Sequence, residues 1–276
     1  MVDSINTNAS SLLGVRNLQK SSSLLRTDQK ELATGNKIND AHDNAAILAI
    51  SKLLESDVAG LGSVKNSLDR AISTSDVALA AGNEVSDLLL QLKEKAVKAA
   101  DPGLDDASRQ ALNTEFSALR DQITGIVENA EFNGTNALKA GGDDIVAISE
   151  ADGGGSLTIQ AQDLSLGGSN VSLGASQGIG TLADAQAAVA AIDDSLANVS
   201  SALSEIGSGS SRLQQTKDFT ERLSNTTEEG IGNLVDANLA RTSASFEANQ
   251  VRQALGIQSL SIANRQPAAI LGLFQN

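Results

Sequence analysis

The chain has 276 residues, no Cys, Trp or Tyr, one His, five Phe, two Pro and a formal charge of −14. That composition excludes disulfides, thiolate zinc sites and cysteine nucleophiles, and a multi-histidine metal centre cannot be built from one imidazole. Without Tyr or Trp there is no stacking platform for single strands, and the net charge repels phosphate backbones, so neither nucleic acid nor a cofactor is expected. No run of about 20 apolar residues is present to span a membrane, and Met1-Val2-Asp3-Ser4-Ile5-Asn6 shows no cleavable secretory signal. Charge is unevenly placed. Residues 1–40 carry five basic and four acidic side chains and residues 236–276 three and two, so the whole acidic excess lies between them.

In chain order, Ile5 and Leu12, then Leu18, Leu25 and Leu32, each spaced by seven, predict a first helix with one apolar stripe. The longest signal runs from Ile47 to Ala99. Ile50, Leu54, Leu61, Leu68, Leu89 and Leu92 fall on one alternating three–four ladder, interrupted at Asp57, Ser75 and Gly82, which predicts a helix of roughly 80 Å at ~1.5 Å per residue. Gly60 and Gly62 mark a place where it could bend, and Asp101-Pro102-Gly103 ends it. Phe116 and Ile123 lie on a second helix, closed by the turn Asn133-Gly134. Residues 141–180 change character: Ile145–Ile148 and Leu157–Ala161 read as a β-hairpin around Asp152-Gly153-Gly154-Gly155, followed by Gly- and Ser-rich sequence. Thr181-Leu182-Ala183-Asp184 reads as a capping box, and Ile192, Leu196, Val199, Leu203 and Ile206 resume the ladder. The last 40 residues carry Leu239, Phe246, Val251, Leu255 and Ile262 on or beside one face.

The fold expected is mainly α: a long antiparallel helical bundle or coiled coil, formed by the N- and C-terminal halves, with a small β-hairpin insert. The central ladders can cover one another within the chain. The two ends are apolar on one face, nearly neutral and marginal as isolated helices. They are therefore expected to be mobile in the monomer and to order against other copies; the alternative is simple pairing of one end with the other.

Two motifs invite catalytic readings. Gly174-Ala175-Ser176-Gln177-Gly178-Ile179-Gly180, after Val171-Ser172-Leu173 and before a helix, has the spacing of a dinucleotide fingerprint. Only helical ladder follows it, however, and the catalytic tyrosine of short-chain dehydrogenases has no counterpart, so a Gly-rich exit from the β insert fits better. His42 in Asp40-Ala41-His42-Asp43-Asn44 lacks convergent partners in the sequence and reads as a solvated loop residue.

The run Ile5-Asn6-Thr7-Asn8, and then the stretch from Leu32-Ala33-Thr34-Gly35 through Ile38-Asn39-Asp40-Ala41 to Ile50-Ser51, resembles the N-terminal hallmark of bacterial flagellin. Glu131-Phe132-Asn133-Gly134-Thr135-Asn136 is similar to the turn after the family's second helix. Ala263-Asn264-Arg265-Gln266-Pro267 and Leu271-Gly272-Leu273-Phe274 are similar to its C-terminal signature. The resemblance covers about 1–140 and 183–276. It implies a non-enzymatic subunit of the extracellular flagellar filament, the propeller for swimming, exported unfolded by the flagellar type III system. It implies a homo-polymer, with an export chaperone, a filament cap and hook-associated junction proteins as partners and other flagellins as possible co-subunits. Residues 1–40 with 236–276 would be the inner coiled-coil arms, with Ile5, Leu12, Leu18, Leu25, Leu32, Leu239, Phe246, Val251, Leu255 and Ile262 as the self-assembly seam. Residues 41–140 with 181–235 would be a helical rod, 141–180 its hairpin, and large outer domains would be absent.

In some relatives the first long helix carries an immune-receptor motif. At the matching stretch Gln91 replaces an arginine and Lys95 a leucine, which implies a poor agonist. The Ser/Thr-rich stretches around 156–176 and 195–211 are candidate O-glycosylation segments by the same resemblance. A hook–filament junction protein is the near alternative, and a generic coiled-coil adaptor or a nucleotide-binding enzyme the distant ones.

Overall fold

The structure is a computed structural model, and it describes the backbone of residues 7–272 and the side chains of residues 7–265. Five helices and one hairpin follow in the order α1 (Ala9–Thr34), α2 (Ala41–Ala99), α3 (Asp106–Asn129), β1 (Ile145–Ile148), β2 (Ser156–Ile159), α4 (Leu182–Val235) and α5 (Leu239–Gly272). The chain divides into two compact units, residues 1–55 with 227–276, and residues 56–226.

Each helix starts where a short polar side chain can take up free amides. Asn8 Oδ1 accepts from Ser11 N at 2.9 Å, Asp105 Oδ1 from Ser108 N at 2.9 Å and Asn238 Oδ1 from Arg241 N at 3.1 Å. At α4 the expected capping box is present: Asp184 N donates to Thr181 Oγ1, whose hydroxyl donates to Asp184 Oδ2 at 2.6 Å. In α2, Asn44 has φ −164° and ψ 101°, and its Oδ1 accepts from the amides of Ala46 and Ile47. The long continuous helix therefore begins after Asn44, preceded by a single turn capped by Asp40.

In the 56–226 unit, α2 and α4 run antiparallel. Lys65 pairs with Glu221, Lys217 with Asp69, and Lys93 with Asp193. Between these pairs lies a continuous apolar core. Leu68, Leu89, Leu92, Phe116, Ile123, Ile192, Val199 and Ile206 are buried in it; Leu196 and Leu203 are half-buried against it, and Leu61 is buried beyond its end. The gaps in the ladder are small residues inside the seam. Ser75 is fully buried and donates to Ala71 O, and a Cβ at Gly82 would sit 2.5 Å from Leu203 Cδ2. The glycines at 60 and 62 do not break α2. Gly60 instead admits the hairpin loop, because a Cβ there would lie 2.6 Å from the Ala151 carbonyl oxygen.

One assignment of the ladder is corrected. Ile50 is 50% exposed and does not belong to the rod core. Before Leu61 the inward positions are the half-buried Ile47, buried Ser51, and half-buried Leu54 and Val58. The order of threes and fours is reversed there relative to the predicted run, which moves Ile50 and Asp57 off the seam. A helix has about 3.6 residues per turn, so an apolar stripe can be continued by either step, and the serine at 51 hid the choice.

The hairpin pairs Ile145 with Ile159 and Ile148 with Ser156, and of its loop glycines only Gly153 takes a positive φ, 79°. The segment after it is not a loose exit. Leu164, Val171, Leu173 and Ile179 are fully buried, and Leu138 before the hairpin joins them.

The other unit is built differently. α1 and α5 lie antiparallel: Asn8 Nδ2 donates to Ala263 O at one end of the pair, and Thr242 Oγ1 donates to Glu31 Oε2 at the other. A second set of bonds joins the connection after α1 to that before α5, with Lys37 N donating to Val235 O (2.7 Å) and Ala237 N to Gly35 O (2.8 Å). Pairing of one end with the other is thus what the single chain adopts. No second copy is needed to give either arm a helical partner.

Candidate self-assembly surface

In the arm-bearing unit the usual polarity of a helix pair is inverted. Among its described residues, the buried side chains on α1 and α5 are Ser21, Asp28, Thr242 and Asn249; Ile38 and Val235, at the connections, are the buried apolar ones. Gly14 and Gly256 complete the seam, in contact range of Leu260 and Leu18. These positions recur every seven residues: Gly14, Ser21 and Asp28 on α1; Thr242, Asn249 and Gly256 on α5. The heptad is real, but small and polar residues carry it.

The large apolar side chains consequently face outward. Leu12, Leu239, Val251, Leu255 and Ile262 are exposed, Ile262 by 72%. Leu18, Leu25, Leu32 and Phe246 are half-buried, Leu18 against Gly256 in the seam itself. Ile5 lies outside the described residues. Leu13, Val15, Leu24 and Ile257 are exposed as well, and the sequence reading missed them. They stand beside the seven-residue rows, and a broader apolar face on each arm was the signal for them. Covering one such side chain from half-exposed to buried is worth about 1 kcal/mol, so a stripe of this length is a large unsatisfied apolar surface.

The flanking connection is polar and ordered. Lys30 Nζ reaches Asp40 at 2.6 Å and Asp43 at 2.8 Å. Asp43 Oδ2 also accepts the amides of Asn39 (3.0 Å) and Asp40 (3.3 Å). The Lys30 ammonium, and next the Asn39 amide, lower the Asp43 carboxyl to about 2, against a smaller opposing effect of desolvation. His42 is exposed and its amide donates to Asp40 Oδ1 as part of this turn. On α2, Gln91 is exposed and Lys95 forms an ion pair with Glu115 of α3.

The glycine-rich stretch 174–180 has no strand before it. Asn113 Oδ1 of α3 accepts the Ile179 amide at 2.6 Å and would lie 2.6 Å from a Cβ at Gly178. Those glycines serve close packing on α3. Among the described residues, no group of three or more acidic or imidazole side chains could hold a metal ion, and no helix is long and apolar enough to cross a membrane.

A helical chain that hides polar groups between its arms and displays apolar ones outside them is a structural subunit built to associate with others. The comparisons agree. Residues 5–142 match the bacterial flagellin N-terminal helical region and residues 189–274 the bacterial flagellin C-terminal helical region. Flagellin FljK of Caulobacter vibrioides is 40% identical over 274 residues, 99% of each chain, and a flagellin of Brucella melitensis is 28% identical over 287 residues, again 99% of each. In fold, a protein described as flagellar hook-associated from Vibrio parahaemolyticus superposes with a TM-score of 0.57 at 17% identity, over 71% of this chain and 98% of the other. The chain belongs to the bacterial flagellin family. It is a short flagellin, a subunit of the extracellular flagellar filament that drives motility.

Proposed function

We propose that the arms, residues 1–40 with 236–276, form the inner layer of the filament and that their outward stripe is the main assembly surface. Leu12, Leu239, Val251, Leu255 and Ile262, with Ile5 and the half-buried Leu18, Leu25, Leu32 and Phe246, meet neighbouring copies through a heterologous contact that does not close on itself and so grows an open helix. Residues 41–140 with 181–235, and the hairpin region 141–180, form the surrounding layer. The polarity of the α1–α5 pair carries this reading: a seam of Ser21, Asp28, Thr242 and Asn249 inside and a row of Leu, Val and Ile outside suits a pair whose apolar partners are other subunits.

The chain acts as a structural element without catalysis. It passes through the flagellar type III route with an export chaperone, and it meets the filament cap and the hook-associated junction proteins at the two ends of the polymer, alongside other flagellins. The test is seeded growth followed by electron microscopy. The full chain is expected to extend filament fragments, and a chain lacking residues 1–35 and 236–276 is expected to leave them unextended. Normal growth from the trimmed chain would overturn the arm assignment.

A further inference from the structure

Within the polar seam, one side chain is bonded on every side. Asn249 is 2% exposed. Its Nδ2 donates to Asp28 Oδ2 on the opposite helix at 2.7 Å and to Ser245 Oγ at 3.4 Å. Its Oδ1 accepts from Arg252 Nη1 at 3.0 Å, and its backbone carbonyl accepts from Ser21 Oγ at 3.1 Å. Asp28, 9% exposed, also takes the Ser245 hydroxyl at 3.1 Å. The amide of Asn249 therefore stands between a guanidinium and a buried carboxylate, with its oxygen toward the cation and its NH2 toward the anion. Only one axial setting of α1 against α5 satisfies all of these bonds.

At the ends of the pair, Thr242 with Glu31, Asn8 with Ala263 and the backbone bonds between the two connections fit the same setting. Between those ends the other members of the seam are small or weakly bonded and do not choose one: Gly14 beside Leu260, Leu18 beside Gly256, Gln253 donating to Ser22 at 3.0 Å. A slip by seven residues would bring equivalent small residues together again. It would also leave Asp28 buried without its donors, and an unpaired buried charge is costly where a merely weakened apolar contact is not. A single buried Asn is known to fix register in helix pairs at some expense of stability.

We infer that the Arg252–Asn249–Asp28 relay sets the axial register of α1 on α5, and with it the alignment of the apolar stripes that neighbouring copies match. The second half rests on the assembly reading above; the first does not. Asn249 and Asp28 are positioning residues, and the surface that touches other subunits lies elsewhere on the same helices.

Cysteine cross-linking of the soluble full chain reads the register directly, since the protein has no Cys of its own. Ser22→Cys with Gln253→Cys reports the native setting. Ser22→Cys with Leu260→Cys, or with Phe246→Cys, reports a slip of one heptad either way. In the otherwise unchanged chain the native pair is expected to close and the slipped pairs to close about tenfold less, the ratio that loss of one hydrogen bond to a charged group implies. Asn249→Asp sets two carboxylates against each other and is expected to erase that preference. Exchanging the two groups, Asp28→Asn with Asn249→Asp, rebuilds the donor–acceptor pair and leaves Arg252 facing a carboxylate, and it is expected to restore the preference. Undiminished native cross-linking in Asn249→Asp, no native cross-link in the unchanged chain, or no rescue by the exchange each overturns the inference. Seeded growth of the unchanged chain, measured in parallel, separates that failure from a failure of the assembly reading.

Discussion

At the scale of single residues, position relative to the α1–α5 seam decides what a substitution does. Leu255 is 58% exposed in the single chain, so Leu255→Asp removes little packing from it and is expected to change its unfolding by no more than about 0.5 kcal/mol. Docking against another copy would bury the new carboxylate without a partner, and that desolvation blocks growth. Sedimentation of seeded mixtures is expected to show no polymer, while circular dichroism of the soluble protein stays as before. Wild-type yields would mean that the outward stripe is not the contact. At the connection, Asp43 behaves in the opposite way, as an internal tether. Its carboxyl is lowered to about 2 by the Lys30 ammonium and the Asn39 amide, below the unfolded value of about 3.9. A lowered folded value means that its contribution is complete above about pH 4 and fades as the pH falls toward 2. Carboxyl NMR titration is expected to place Asp43 near 2 and to move it up toward 3.9 in Lys30→Met. An unchanged midpoint in that variant would remove the ammonium as the cause.

At the scale of elements, α2 offers two glycines with opposite roles. A Cβ at Gly60 would meet the Ala151 carbonyl oxygen at 2.6 Å, whereas one at Gly62 meets nothing within 4 Å. Gly62→Ala is expected to stabilise the chain by about 0.5–1 kcal/mol, since helical glycine costs that much relative to alanine. Gly60→Ala gains the same amount but must displace backbone, and overpacking of about 1–3 kcal/mol leaves it destabilised on balance. Urea unfolding of the two variants should move the midpoint in opposite directions; a shift of the same sign in both would show that the loop yields freely.

The sequence showed Gly60 as a possible bend because composition carries no record of what lies opposite. The elements themselves were legible: the capping box at Thr181, ladder positions such as Leu68, Leu89 and Ile192, and the hairpin, whereas the Asp105 cap of α3 came only with the structure. The burial of Leu164, Val171 and Leu173 was not, because isolated apolar residues among glycines have no period to betray them. The arm seam was half legible. Its seven-residue spacing is in the sequence, but a reading tuned to leucine registered only the apolar rows, which it assigned to contacts with other copies, and passed over Ser21, Asp28, Thr242 and Asn249.

At the scale of the whole molecule, the same inversion separates two forces that act on assembly. The arms are nearly neutral, while the acidic excess behind the net charge of −14 sits in the residues between them. Bringing copies together buries apolar stripes and at the same time crowds like-charged bodies. The first effect depends weakly on simple salt; the second is screened over about 10 Å at 0.1 M and about 30 Å at 0.01 M. The concentration needed for seeded growth is therefore expected to fall as sodium chloride rises from about 0.01 to 0.15 M, over which the Debye length shrinks from about 30 to about 8 Å. Sulfate at equal ionic strength is expected to lower it further, because excluded salts strengthen apolar burial. Light scattering of seeded mixtures measures both. A requirement that rises with sodium chloride would mean that complementary charges between subunits, such as the exposed lysines of α2 against acidic residues of a neighbour, hold the polymer together in place of the stripes. A sulfate effect no larger than that of chloride would show that the apolar surface of the arms is already covered before copies meet.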